Sequence, residues 1–133
     1  LVAGGSSGYV AVLQLTAEGA LSPGFGTGGI VRVTTGGLTG AGTDVLLSGS
    51  RVLVSAAVIG LPGERGLVFG FTRGGDPDTT WGGDGVVESP NTRSQFQGLL
   101  RRPGGGVYAI GAVKTVLATF SDLTFFVQAL ATS

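Results

Sequence analysis

Three aspartates in one glycine-rich segment come nearer to metal-ligand spacing than any other residues of this sequence. Asp76, Asp78 and Asp84 lie within residues 74–85, and carboxylate oxygens at such short spacing could hold Ca²⁺. Their spacing differs from that of an EF-hand loop. Aspartate is also common in turns, because its side chain accepts hydrogen bonds from nearby backbone amides. We therefore predict a turn here and no cofactor, with a calcium site as the alternative.

The other residue types that could do chemistry argue against an enzyme. The sequence has no cysteine and no histidine, which excludes a Ser-His-Asp triad and any thiolate or imidazole metal site. Residues 24–29 match G-x-G-x-x-G, but a dinucleotide site needs a helix after that turn, and a β-branched segment follows instead. The eight acidic residues fall mostly in predicted turns, and no pair has the pattern of glycosidase carboxylates. We predict no enzymatic activity.

Charge is balanced along the chain. Eight basic and eight acidic residues give a formal net charge of zero, whereas a nucleic-acid-binding protein normally has a basic excess. Arg101 and Arg102, with Arg93 nearby, form a basic cluster that we interpret as a solvated turn, with an anionic partner as the alternative. No apolar run approaches the length of about 18 residues that a membrane-spanning helix needs. Neither a nucleic-acid partner nor a transmembrane segment is predicted.

The composition favours an all-β fold. Glycine supplies 27 residues, and 42% of the chain is hydrophobic, which is too apolar for a disordered segment. Segments rich in Val, Leu and Thr between glycine-rich turns are typical of short β-strands. No stretch keeps a helical periodicity without interruption by glycine or β-branched residues. Because the chain opens at Leu1 inside a predicted strand, we expect a fragment of a longer polypeptide.

An internal repeat relates the predicted strands to one another. Residues 10–31 align without a gap on residues 66–87. Both copies contain an apolar strand, a turn, an aromatic residue before glycine, and a glycine before two β-branched residues. The motif residues are Phe25, Gly26, Gly29, Trp81, Gly82 and Gly85. We expect each aromatic ring to be buried between neighbouring units. The first copy has no acids at the positions of the three aspartates, which also favours the turn interpretation.

The repeat predicts four-stranded antiparallel sheets. In the most complete unit, the strands are expected at 43–48, 51–58, 67–73 and 85–89. Four strands in about 56 residues is the size of a β-propeller blade, and blades need neighbours for stability. We predict a partial β-propeller of about two and a half blades. Residues 1–40 would form a partial blade, residues 41–92 a complete blade, and residues 93–133 a second partial blade.

The repeated blocks resemble a known family. The sequences AEGALSPGFGTGGIV at 17–31 and GDPDTTWGGDGVV at 75–87 resemble the delta-60 repeat. In that family, a turn of the Asp-Gly-Ser-Leu-Asp type precedes an aromatic residue and a Gly-Gly-x-Gly-Val-Val-like segment. The resemblance implies a propeller-like fold without an assigned activity, in large bacterial proteins that are exported or associated with the cell surface. The chain departs from the family pattern at 17–21 and at 114–124.

These patterns predict a non-enzymatic structural or protein-interaction module of a bacterial exported or cell-surface assembly. Its place would be extracellular, at the cell surface or in the periplasm. Loops at 5–8, 59–66 and 114–124 would face a protein partner, and additional blades or another subunit would cover the open strand edges near both ends. The alternative is a non-catalytic portion of a carbohydrate-active or other propeller enzyme whose active site lies in blades outside these residues.

Overall fold

The computed structural model describes residues 1–60, 63–116 and 121–130, and these residues form antiparallel β-sheets without a helix. The strands are β1 (Val2–Leu13), β2 (Ile30–Ser48), β3 (Arg51–Gly60), β4 (Gly63–Thr72), β5 (Val86–Glu88), β6 (Ser94–Arg101), β7 (Val107–Val116) and β8 (Ser121–Leu130). One sheet has the order β1-β2-β3-β4-β5, and the other has the order β6-β7-β8. The prediction of an all-β fold is confirmed. Among the described residues, no helix is long and apolar enough to cross a membrane.

Two strands are longer than the sequence suggested. β1 runs through residues 5–8, so the loop predicted there is wrong. The pairing of β1 with β2 shifts register between Ser7, which pairs with Thr39, and Tyr9, which pairs with Thr34. Glycine is required at position 5, because a Cβ there would lie 2.1 Å from the carbonyl oxygen of Gly40. β2 covers 19 residues and contains the division that we expected between residues 40 and 41. The first two repeat units therefore share one sheet.

The remaining predicted loops are partly or wholly strand. Residues 59–60 belong to β3 and residues 63–66 to β4, and the pairing of these strands continues to Gly60 and Gly63. Residues 61–62 lie outside the described part of the chain. The segment 114–124 begins in β7 and ends in β8, where Lys114 pairs with Leu123. Residues 117–120 lie outside the described part of the chain. The division expected between 92 and 93 falls between the two sheets, since β5 ends before it and β6 begins after it.

The sequence repeat corresponds to a repeated strand register. Val12 pairs with Val31 in the first unit, and Val68 pairs with Val87 at the aligned positions of the second. The strands β6, β7 and β8 repeat the second half of β2 with β3 and β4. Each first strand has a bulge at the same point, between Gly42 and Asp44 in β2 and between Phe96 and Gly98 in β6. Three units of one strand plan therefore follow one another along the chain.

Successive units pack face to face around two apolar clusters. Alternate residues of β3 point to opposite faces, so Val52 joins one cluster and Leu53 joins the other. The first cluster lies between units one and two and contains Val10, Val12, Phe25, Val31, Val52, Val54, Ala56, Phe69 and Phe71. The second lies between the two sheets and contains Leu53, Val68, Trp81, Phe96, Leu99, Val107, Ala109 and Leu130. The middle unit is thus covered on both faces.

Side chains of β2 also tie the two sheets together. Asp44 Oδ2 accepts a hydrogen bond from the backbone N–H of Leu99 at 2.8 Å. The hydroxyl of Thr43 donates to the carbonyl oxygen of Phe96 at 2.9 Å. Both side chains lie at the bulge of β2, because a bulge turns consecutive side chains away from the regular alternation. The bulge therefore directs polar groups across the joint between the sheets.

Candidate functional site

The turn between β4 and β5 places a tryptophan between the sheets. The backbone N–H of Asp78 donates to the carbonyl of Gly70 at 2.9 Å, and the N–H of Trp81 donates to Asp78 at 3.0 Å. The N–H of Gly85 then donates to Trp81 at 2.7 Å, which closes the turn. Gly82 has a φ of 64°, and a Cβ there would lie 2.2 Å from the carbonyl oxygen of the first residue of β5. Only glycine satisfies both constraints without strain.

The ring of Trp81 is almost completely buried. Its side chain is 1% exposed and belongs to the cluster between the two sheets. The indole N–H donates to the carbonyl oxygen of Val68 at 2.9 Å, so the polar group of the ring is satisfied inside the core. Gly70 lies directly under the ring, since a Cβ there would be 2.7 Å from the Cβ of Trp81. The turn, the ring and β4 form one packed unit.

Arg51 at the start of β3 holds the same turn from outside. Its guanidinium Nε lies 2.6 Å from Asp78 Oδ2, and its Nη2 donates to Thr80 Oγ1 at 2.8 Å. The guanidinium carbon also lies 5.3 Å from the centroid of the Trp81 ring, within cation–π range. The Thr80 hydroxyl, followed by Arg51, lowers the pKa of Asp78 below its usual value. Asp78 is therefore a charged acceptor that organises the turn.

The turn between β1 and β2 repeats this geometry around Phe25. The N–H of Ser22 donates to Gln14 at 2.8 Å, the N–H of Phe25 donates to Ser22 at 3.1 Å, and the N–H of Gly29 donates to Phe25 at 2.9 Å. These bonds align one for one with those of the Trp81 turn. Phe25 has no exposed surface and lies in the cluster between units one and two. Both rings therefore occupy the same place in successive units.

The two turns also touch each other through the backbone. The N–H of Gly26 donates to the carbonyl oxygen of Gly74 at 2.7 Å. Gly75 lies against the same place, because a Cβ there would be 2.7 Å from the nitrogen of Gly26. Close approach of two backbones requires glycine at such positions. The first unit thus contacts the second through both its ring and its turn.

The structure does not bring the three candidate calcium ligands together. The described residues contain no group of three carboxylate, imidazole or thiolate side chains placed to hold a metal ion. Asp78 faces Arg51, and Asp84 Oδ1 accepts a hydrogen bond from the N–H of Val86 at 3.1 Å. The N–H of Asp76 bonds the hydroxyl of Thr72 at 3.2 Å. The side chains of Asp78 and Asp84 are hydrogen-bonded within the turn region.

The predicted basic cluster takes part in the fold. Arg101 Nη2 donates to the carbonyl oxygen of Leu47 at 2.7 Å, across the joint between the sheets. The guanidinium of Arg102 lies 6.0 Å from the ring centroid of Tyr108. Arg93 has a φ of 56° and accepts a hydrogen bond at its carbonyl from the N–H of Lys114. The segment that matches G-x-G-x-x-G leads into β2, so no helix N-terminus is present there for a phosphate.

An open cleft beside β5 is lined by both charged and apolar side chains. Its volume is about 520 Å³, and its walls include Thr34, Arg65, Phe69, Asp84 and Glu88. Arg65 Nη1 lies 3.8 Å from Glu88 Oε1, and both side chains are about half exposed (49% each). An ion pair at that exposure is worth little, and the cleft lacks the enclosed, mostly apolar walls typical of small-molecule sites. We therefore base the functional interpretation on the two turns and not on this cleft.

The sequence did not predict a structural role for two residues, Arg51 and Asp44. Arg51 and Asp44 each reach a partner far along the chain, at Asp78 and Leu99 respectively. Arg51 directly follows the short turn of Gly49 and Ser50, and in the sequence an arginine at such a place resembles an ordinary exposed residue. The internal repeat does not indicate the contact between Arg51 and Asp78, because the partner of Arg51 lies in another turn.

Comparison with protein-family models, with curated proteins and with solved structures finds no match.

Proposed function

We propose that this chain is a non-enzymatic structural and protein-interaction module in which repeat units stack as blades of a β-propeller-like assembly. The observation that supports this function is the duplicated ring-bearing turn. Phe25 and Trp81 occupy aligned turns, and each ring is buried against the following unit. Repeat proteins of this kind gain stability from the contacts between neighbouring units, which makes an extended surface for partners.

The roles of the polar groups support the same function. Asp78 pairs with Arg51, and Asp44 bonds the backbone of Leu99 across the sheets. Catalytic carboxylates instead face a cleft and have pKa values matched to proton transfer, typically raised. The lowered pKa of Asp78 suits a permanent hydrogen-bond acceptor. The first contact therefore holds the turn of the second unit, and the second contact joins the two sheets.

We further propose that the module belongs to a bacterial protein that is exported or held at the cell surface. The resemblance of residues 17–31 and 75–87 to the delta-60 repeat supports this location. The low fraction of charged residues, 12%, also fits a chain whose faces are covered by neighbours in an assembly. The partner is a protein that contacts the outer faces of the sheets.

Localisation and assembly size test this proposal together. Antibodies against the chain would be used on intact cells and on cytoplasmic, periplasmic and envelope fractions of the source organism, with native gel electrophoresis of the positive fractions. We expect the antigen in the exported fractions, in a complex much larger than 13.2 kDa. An antigen confined to the cytoplasm as a free monomer would overturn the proposal. So would saturable turnover of a polysaccharide by the purified chain, if the Asp84→Asn or Glu88→Gln variant abolished it.

A further inference from the structure

β8 presents an apolar face that its counterparts in the other units keep covered. Phe125 is 72% exposed and Val127 is 64% exposed, and both lie on the outer face of this strand. β8 pairs only with β7 among the described strands, so its other edge is open. An open edge beside exposed apolar side chains is typical of a surface that binds another strand.

The alignment of the repeat units shows which residue of the second unit corresponds to Val127. β8 pairs with β7 as β4 pairs with β3. Gly111, at the bulge pair of the third unit, faces Phe126, and Ala56, at the bulge pair of the second unit, faces Leu67. Counting one residue further along each strand places Val127 at the position of Val68. On the inner face the correspondence holds as well, because Phe126 and Leu67 each pack against the cluster shared with the preceding unit.

In both earlier units, this position is covered in the same way. Val68 is fully buried, pairs with Val87 of the added strand, and accepts the indole hydrogen bond of Trp81. In the first unit, Val12 is fully buried and pairs with Val31, in the cluster that contains Phe25. Part of the cover is one continuous segment each time: an aromatic residue, glycine, two residues, glycine, and two β-branched residues. Side chains of the following unit complete each cluster.

We propose that the open edge and outer face of β8 form a strand-addition site for a partner segment of this repeat type. The segment would pair with β8 at Phe126–Gln128, as β5 pairs with Leu67–Phe69 of β4. Its aromatic ring would cover Val127, as Trp81 covers Val68. Backbone hydrogen bonds would supply affinity, and the ring would supply specificity, as in other cases of strand addition. This inference rests on the proposed stacking of repeat units.

The test uses a peptide of this chain's own sequence, residues 75–90, labelled with a fluorophore and titrated with the purified chain. Fluorescence anisotropy measures binding, and amide chemical shifts locate it. We expect saturable one-to-one binding with shifts concentrated at Phe126–Gln128. A control peptide that carries Trp81→Ala should bind at least about tenfold more weakly, since buried aromatic anchors dominate such interfaces.

Variants of the chain localise the site. Val127→Lys and Phe125→Lys should each weaken binding at least about tenfold, because a lysine would have to be desolvated under the ring. Ile59→Lys is the matched control, since Ile59 is 46% exposed and lies in the β3–β4 hairpin. Far-ultraviolet circular dichroism checks that each variant is folded, and either lysine variant alone suffices for the comparison.

Three results would overturn the inference. They are no binding of the peptide, equal binding by all folded variants, and a dimer of the chain that Val127→Lys dissociates in sedimentation velocity. The last result would make a second copy the occupant. Absence of peptide binding by the parent chain refutes the strand-addition site alone, whereas a cytoplasmic monomer or a genuine turnover refutes the proposed function.

Discussion

Replacing Trp81 by alanine tests how strongly the buried ring stabilises the joint between the sheets. The ring is 1% exposed, and its N–H is bonded to Val68 inside the core. Truncation of a buried aromatic residue to alanine costs about 3–5 kcal/mol, because packing is lost and a cavity remains. The carbonyl of Val68 also loses its partner, at a cost of about 1–3 kcal/mol if water does not replace it. We expect a loss near the upper end of the first range, about 4–5 kcal/mol.

Trp81→Phe separates the ring from its hydrogen bond. Phenylalanine is the residue of the aligned position, Phe25, so the turn accepts its shape. The variant keeps most of the apolar contact and loses the indole donor together with part of the ring volume. We expect a loss of about 1–3 kcal/mol, between the parent and the alanine variant. Leu100→Ala is the control, since Leu100 is 54% exposed and its truncation should cost less than about 1 kcal/mol.

Urea denaturation measures these differences. Far-ultraviolet circular dichroism is the appropriate signal, because Trp81 is the sole tryptophan of the chain and its removal abolishes the fluorescence probe. The free energy of unfolding comes from linear extrapolation, and an unchanged slope shows that the same surface is exposed in each variant. A loss below about 1 kcal/mol for Trp81→Ala, at unchanged slope, would refute the reasoning, because it falls outside the range for a buried aromatic residue.

Two further variants address the turn itself. Asp78→Asn should destabilise the chain at neutral pH. Because the folded state lowers the pKa of Asp78, its contribution is present above the unfolded pKa of about 3.9 and is lost as the pH falls through the lower folded value. Melting curves of the parent and the variant should therefore converge in acid, and a constant difference would contradict the lowered pKa that Thr80 and Arg51 give Asp78. Gly82→Ala should destabilise more than Gly83→Ala: both positions have positive φ, but only at Gly82 would the added Cβ meet backbone, at 2.2 Å. Equal melting temperatures of the two alanine variants would contradict that contact.

The turns could be predicted from the sequence because their determinants are local. Glycine at residues with positive φ, such as Gly82 and Gly85, and an aromatic residue at fixed spacing recur in both copies. The alignment of residues 10–31 with 66–87 therefore predicts equivalent buried positions for Phe25 and Trp81, and both rings are buried. The strands could be predicted from segments rich in Val, Leu and Thr between glycine-rich turns, and the all-β class could be predicted from the composition.

The continuity of β2 and the polar joints could not be predicted in the same way. Gly36 and Gly37 resemble a turn between units, and their φ values are indeed positive, yet the strand continues past them and pairs again at Thr39. Whether a glycine pair ends a strand depends on the partner strand, which local sequence does not specify. The ion pair between Arg51 and Asp78 joins residues 27 positions apart, and only the folded register brings them together.

The two joints between units differ in kind, and this difference affects how the molecule opens in solution. Units one and two share the backbone ladder of β2, so amide protons along β3 should exchange with solvent only when both units come apart together. Across the described residues, the third unit is held to them by packing and by bonds from Thr43, Asp44 and Arg101. The β6–β8 sheet can therefore detach as a separate foldon, and its amides should lose protection first as denaturant is added.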